Sequence, residues 1–187
     1  MVGNSKGGTG KSTTAMHLAV ALLREGHRVG TLDLDALQGT LSRYVESRRA
    51  LSERRGLALP QPSHQALAAG DRARVEEALV ALAADCDYVV VDTPAGESAL
   101  SLGGHAHADT LITPLNDSFV DLDVLARVEP ETHRILRPSR YAATVWEMKK
   151  ERARRELRDL LDALRLASPA HRAAARVGGV DPQAPAA

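Results

Sequence analysis

The run Lys6-Gly7-Gly8-Thr9-Gly10-Lys11-Ser12-Thr13 leads straight into an amphipathic segment, and no other feature of this 187-residue chain constrains its fold so far. Ala15, Leu18, Ala19, Leu22 and Leu23 recur at helical spacing and Gly26 ends the pattern, so a helix is expected over 12–25. Gly7, Gly8 and Gly10, with Thr9 among them, let successive backbone N–H groups turn toward one anion. The helix N-terminus adds aligned N–H groups and its dipole. Lys11 is placed to reach the β- and γ-phosphates of a nucleotide, and the Ser12 hydroxyl to hold Mg²⁺. A phosphate loop of the ordinary kind would carry glycine at position 5; this chain has Ser5, followed by an extra lysine, Lys6. A lysine at the loop entrance is badly placed to reach its own nucleotide. It reads as a charge donated across a subunit interface to the nucleotide of a second copy, which would make ATP the glue of a homodimer.

The remaining pattern alternates strand and helix. Short apolar runs at 28–32, 88–91 and 110–113 read as strands, and helical periodicity marks 40–49, 71–84 and 141–166. In the helix at 71–84, Val75, Leu79 and Leu82 should face inward and Arg72, Arg74, Glu76 and Glu77 outward. The segment 59–62, with Pro60 and Pro62, reads as a loop. Such alternation predicts an α/β fold of the P-loop NTPase kind: a mostly parallel sheet with helices on both faces. Ligands in these folds bind at the carboxyl ends of the strands. Asp33, Asp92 and Asn116 all fall at or just past such ends.

Asp33-Leu34-Asp35 places two carboxylates on one side if the strand continues. One would bind or orient Mg²⁺ and its waters, the other the attacking water, since phosphoryl transfer asks the protein mainly to position groups and stabilise charge. Val89-Val90-Val91-Asp92 delivers a further carboxylate to the metal side, so Ser12, Asp33 and Asp92 form the expected metal set. His105 and His107, two apart, lack further ligands at suitable spacing and read as packing or loop histidines.

Composition bounds the partners. Formal net charge is zero, but residues 134–176 carry 12 basic and 5 acidic side chains. Within that block Lys149, Lys150, Arg152, Arg154, Arg155 and Arg158 lie on one predicted helix. It is either a solvated face or a non-specific, salt-sensitive contact with DNA. No run of 18 apolar residues and no basic-then-apolar leader occurs, and Cys86 is the only cysteine, so a cytoplasmic chain with no membrane partner is expected.

The loop at residues 6–13 resembles the deviant Walker A motif of ParA/MinD-type ATPases. Thr113-Pro114-Leu115-Asn116-Asp117-Ser118-Phe119-Val120-Asp121-Leu122-Asp123 and Thr144-Val145-Trp146-Glu147 resemble, more narrowly, the MipZ family of division-plane positioning ATPases. The similarity runs from residue 2 to about residue 158. The resemblance implies ATP and Mg²⁺ as ligands, ATP-dependent dimers, interaction with the partition protein ParB, non-specific DNA binding and inhibition of FtsZ assembly. It implies a nucleoid- or pole-associated location, with hydrolysis resetting the monomer. By position, Lys6 would be the trans-acting lysine and Gly7 the small residue at the dimer contact. Lys11, Ser12 and Thr13 would bind phosphate and Mg²⁺, Asp35 would serve hydrolysis, and Asp92 would be the Walker B acid. A ParA-type partition ATPase and an inactive fragment are the competing readings.

Some features depart from this pattern. Ala95 stands at a position where many P-loop proteins have glycine, and Gly103-Gly104 should weaken a segment expected to be partly helical. Only Met1 and Val2 precede Gly3, where a full strand is expected, and no β-like run is evident after Thr113. The ATPase domain is therefore expected over 1–166, incomplete at its first strand and its C-terminal part. An Ala/Pro-rich tail over 167–187 is expected to be disordered.

Overall fold

In the computed structural model the described residues are 1–117, 119–132 and 134–167. The expected tail lies outside them from residue 168 on. The described residues divide into two compact units at Lys149/Lys150.

The first unit is organised by β1 (Val29–Asp33), which is buried at every position. A strand covered on both faces needs helices above and below, and the flanking sequence supplies them. β1 pairs in parallel with β2 (Ser63–Ala66) on one side and β3 (Tyr88–Asp92) on the other, giving the order β2-β1-β3. Val2 extends the sheet beyond β3 through parallel bridges to Asp92 and Ile112. Its N–H donates to Val91 O at 2.8 Å, and the Gly3 N–H to Ile112 O at 2.9 Å. The strand expected over 110–113 is present only as the single bridging residue Ile112.

One face of the sheet is covered by α1 (Lys11–Arg24) and α2 (Thr40–Arg55). Ala15, Ala19 and Leu23 of α1 pack with Leu41, Val2, Val29 and Val90. The other face takes α3 (Arg72–Ala83) and α4 (Ala99–His107), where Val75, Ala78, Leu82 and Leu100 meet Leu32, Leu34 and Val91. In α3 the inward set is Val75, Ala78 and Leu82, with Leu79 half-buried at the edge.

The paired glycines do not end α4. A Cβ at Gly103 would stand 3.0 Å from Val75 Cβ, and one at Gly104 would stand 3.2 Å from Leu34 Cδ1. The glycines let α4 lie directly on α3 and on Leu34, just past β1, which outweighs their poor helix propensity.

Past Thr113 the chain does form β-structure. After the short α5 (Phe119–Leu122), β4 (Ala126–Val128) and β5 (Ile135–Pro138) pair antiparallel in a separate ribbon with a register shift at Arg127/Val128. α6 (Arg140–Ala167) is the last element. In the second unit Arg152 Nε pairs with Glu156 at 2.6 Å, and Leu157, Leu160 and Leu161 are exposed. Among the described residues no helix is long and apolar enough to cross a membrane.

Candidate phosphate-binding site

Among α1–α4, only α1 leaves its first-turn N–H groups without a carboxylate or hydroxyl cap. α3 is capped by Asp71, whose side chain accepts from Arg74 N–H, and α4 by the reciprocal Ser98–Ser101 box. α2 is capped from a distance, because Asp33 accepts from the N–H of Ser42, the third residue of that helix, at 3.0 Å. α1 has no side-chain cap and no acidic residue in its first turn. Unpaired N–H groups at a helix start are an anion site. Gly8 and Gly10 hold φ of +72° and +83° in front of it, and a Cβ at either would meet nothing within 4 Å. Backbone conformation, not crowding, requires glycine there, and the cradle opens outward.

Lys11 lies folded into the loop, 8% exposed, its Nζ donating to Lys6 O at 2.7 Å. Burial lowers its pKa, while Asp92 and Asp35 oppose the shift. Thr9 Oγ1 is buried without a hydrogen-bond partner.

The carboxylates gather where the strands end. Asp33 and Asp92 are register partners on β1 and β3. β1 does not continue to Asp35 as the alternation implied: the chain turns at once, and the Asp35 N–H donates back to Asp33 Oδ1 at 2.9 Å. The two acids are thus joined by an Asx-type turn rather than standing side by side on a strand. Asp33 Oδ2 accepts from Ser42 Oγ at 2.7 Å as well as from the Ser42 N–H, so both its oxygens have protein donors. Burial and Asp33 raise the Asp35 pKa, and Gln38 and Lys11 oppose them.

Asp92 is the contrasting case. It is 1% exposed and neither oxygen accepts a hydrogen bond. Burial pushes its pKa up to about 6, with Asp33 and Asp35 adding to the rise; Ser12 and Lys11 oppose it. Ser12 is near enough to act in this way but falls outside hydrogen-bonding geometry. Two orphaned oxygens on a buried carboxylate beside a hydroxyl fit a divalent cation. Mg²⁺ binds in this manner, through one or two side chains plus nucleotide phosphates and water. Among the described residues no three His, Cys, Asp or Glu side chains form a metal-ligand cluster.

Lys6 does not point at its own loop. Its Nζ pairs with Asp121 Oδ1 at 3.0 Å. Asp121 Oδ2 accepts from the Asn116 N–H at 2.9 Å, and the Asn4 side chain links the Lys6 N–H to Pro114 O. Asn4, Ser42 and Asp121 are site residues that sequence reasoning left without a role. Only the Asn116–Asp123 motif hinted at one of them. Gly96, not Ala95, takes the left-handed turn position, with φ +85°, and its N–H donates to Ser5 O at 2.9 Å. Ala95 Cβ lies 3.9 Å from where a Cβ on Gly7 would stand.

The expected histidines belong to packing. His105 is 5% exposed and edge-on to Tyr141, and His107 Nδ1 lies 2.9 Å from Gly103 O. Of the basic run, the Lys149 ammonium donates to Ala108 O and Asp109 O.

A parallel sheet that delivers an uncapped, glycine-led helix and an orphaned acid to one edge defines a P-loop α/β protein. The profile of the family described as "ATPase MipZ" matches residues 1–166, and the chain belongs to that family. The chain is similar to the chromosome partitioning protein ParA of Myxococcus xanthus (strain DK1622), with 27% identity over 72% of this chain and 56% of that protein. It is similar to the septum site-determining protein MinD of Helicobacter pylori, with 30% identity over 70% and 59%. An iron-sulfur cluster carrier protein of Pseudomonas fragi shares 35% identity over 54% of this chain and 42% of its own length. The chain spans about half the length of the curated relatives it matches. A solved structure, cobyrinic acid a,c-diamide synthase from Mycobacterium smegmatis with bound ADP and magnesium, is similar over 61% of this chain and 57% of that one. Its identity is 26% and its TM-score 0.45.

Proposed function

We propose that this chain is an ATP-driven dimerising switch that positions the cell-division site, with ATP hydrolysis returning it to the monomer. The observation that carries the reading is the pairing of an uncapped α1, beside Lys11, with an acid, Asp92, whose two oxygens lack donors. One end suits a triphosphate and the other its cation. Gly7, Gly8, Thr9, Gly10, Lys11, Ser12 and Thr13 hold the phosphates. Ser12 and Asp92 hold Mg²⁺, and Asp33, its oxygens shared with Ser42 and Asp35, acts beside them. Bound Mg²⁺ supplies charge neutralisation at the phosphates. Asp35 orients the attacking water.

In the single chain Lys6 is held by Asp121. In the dimer it leaves that partner and reaches the nucleotide of the second copy. Membership of the MipZ family supports FtsZ and ParB as the partners, and the basic 149–158 stretch supports weak, non-specific DNA contact. The likeness to ParA favours a second reading, a chromosome or plasmid partition ATPase of the same chemistry.

The test is ATP turnover and ATP-dependent dimerisation of the purified chain beside Lys11→Ala, Lys6→Gln and Asp35→Ala. Lys11→Ala should lose binding, Lys6→Gln should lose the dimer, and Asp35→Ala should lose turnover while dimer accumulates. Failure of the wild-type chain to bind ATP refutes the reading. Co-sedimentation with FtsZ polymers then separates division-site control from partition.

A further inference from the structure

Beneath the Asp33–Asp35 turn lies a chain of side chains that the phosphate chemistry does not use. β2 is an edge strand, and its register sets His64 directly beside Thr31 of β1. Thr31 and Asp33, two apart on one strand, face the same side of the sheet, the side covered by α2. Ser42, in the first turn of α2, stands over that face. The result is continuous: Thr31 Oγ1 lies 2.9 Å from His64 Nδ1, His64 Nε2 lies 3.0 Å from Ser42 Oγ, and Ser42 Oγ lies 2.7 Å from Asp33 Oδ2.

Proton counting fixes the direction of the links from His64 to Asp33. A carboxylate only accepts, so the single Ser42 hydroxyl proton goes to Asp33. Ser42 Oγ must then accept from His64, so the imidazole carries its proton on Nε2. In the neutral ring Nδ1 is then bare and accepts from the Thr31 hydroxyl, which also lies 3.3 Å from Ser63 O. Burial lowers the His64 pKa and Arg49 adds to the fall, while Asp33, Glu46 and a hydrogen bond with the Thr31 backbone oppose it; the net fall favours a neutral ring. Removing His64 leaves the Ser42 oxygen without its donor, and removing Ser42 leaves Asp33 without a hydroxyl donor.

We infer that His64 is a positioning residue for the Asp33–Asp35 turn: through Ser42 it fixes the Asp33 carboxylate, whose other oxygen holds the Asp35 backbone N–H. The inference rests on the proposed role of Asp35 in hydrolysis, but the relay itself can be read without nucleotide. Substrate is not touched by His64, so its loss should act on the geometry of the turn and not on the affinity of the phosphate loop. A displaced water-orienting group lowers kcat with little change in KM.

Two measurements on the intact chain decide this. The first is the hydrogen-exchange rate of the Asp35 amide, read by NMR in the absence of nucleotide. The second is ATP turnover. Variants are Ser42→Ala, His64→Leu, the two combined, and His64→Gln, whose Nε2–H can still donate to Ser42. His64→Leu and Ser42→Ala should each speed Asp35 exchange roughly fivefold, as for loss of a typical hydrogen bond. The Leu34 amide, which donates to Asp92 O, should stay unchanged. Each should lower kcat about tenfold at constant KM. The double variant should be no worse than the poorer single one, and His64→Gln should recover most of the loss.

Unchanged Asp35 exchange in His64→Leu overturns the proposal. So does a uniform rise at Asp35 and Leu34 alike, or strictly additive losses in the double variant. A wild-type chain without turnover would defeat the proposed hydrolysis and leave the exchange arm to decide the relay alone.

Discussion

Asp92→Asn should reveal how much stability the protein gives up to keep an acid without partners. The wild-type carboxyl rises from 3.8 to about 6 on folding. At 1.36 kcal/mol per pKa unit this is about 3 kcal/mol. The sign follows from proton linkage. Below pH 4 the group is neutral in both states and costs nothing. Between pH 4 and 6 the folded chain keeps a proton that the unfolded chain has lost, so raising the pH removes stability, and above 6 the loss is complete. His105 works in the opposite direction. Burial lowers its pKa from 6.5 to about 4, so folding is opposed below pH 6.5 and favoured as pH rises. That is again about 3 kcal/mol. In the wild type the two terms nearly offset each other between pH 4 and 6.5. In Asp92→Asn only the histidine's term of these two remains. Urea or thermal melts at steps across pH 4–7 should therefore show the variant gaining about 3 kcal/mol on the wild type as pH rises, or roughly 6–12 °C in Tm. Any constant cost of the buried amide cancels from this difference. Adding saturating Mg²⁺ and ADP should close the gap at pH 7, because a cation restores a partner to the carboxylate. Parallel stability curves for the two proteins would refute the assignment of Asp92 as an orphaned, strongly shifted acid.

Three further outcomes are expected. Mg²⁺ with ADP at a hundredfold excess over Kd should stabilise the wild-type chain by about 2.7 kcal/mol, read as a thermal shift, and Lys11→Ala should abolish it. Asp121→Asn should leave Lys6 without the carboxylate it pairs with at 3.0 Å and lower the ATP concentration at which dimers form in analytical ultracentrifugation; an unchanged threshold would show that the pair does not restrain the lysine. Gly103→Ala should destabilise the fold by about 1–3 kcal/mol through overpacking, despite the roughly 1 kcal/mol that alanine offers a helix, since its Cβ would meet Val75 Cβ at 3.0 Å; denaturant titration reads the sign directly.

What the sequence made legible was local. α1 and α3 declare themselves by helical periodicity and a clear stop or cap, and β3 by four consecutive β-formers in 88–91. β2 could not be found this way, because Ser63-His64-Gln65-Ala66 has no β-branched or aromatic residue and exists as a strand only because β1 offers it an edge. Residues 110–113 failed in the opposite sense: they have strand character, but only Ile112 is bridged, to Val2. The β4–β5 ribbon has no such signal because its strands are only three and four residues long and every residue of β5 is exposed.

The same division runs through the site. Loop glycines, Lys11, Ser12 and the three acids were legible as types at a spacing, but their states were not. Asp33 and Asp92 are the same residue at matched positions on neighbouring strands. One is satisfied because the first turn of α2 aims Ser42 at it, and the other has no donor because the first turn of α1 aims at the place where a nucleotide would sit. What separates a structural carboxylate from one awaiting a cation is therefore which helix N-terminus faces it. That is a tertiary fact, since Asp33 faces the helix that follows its own strand whereas Asp92 faces α1, which lies far from β3 in the chain, and no motif of a few residues records it.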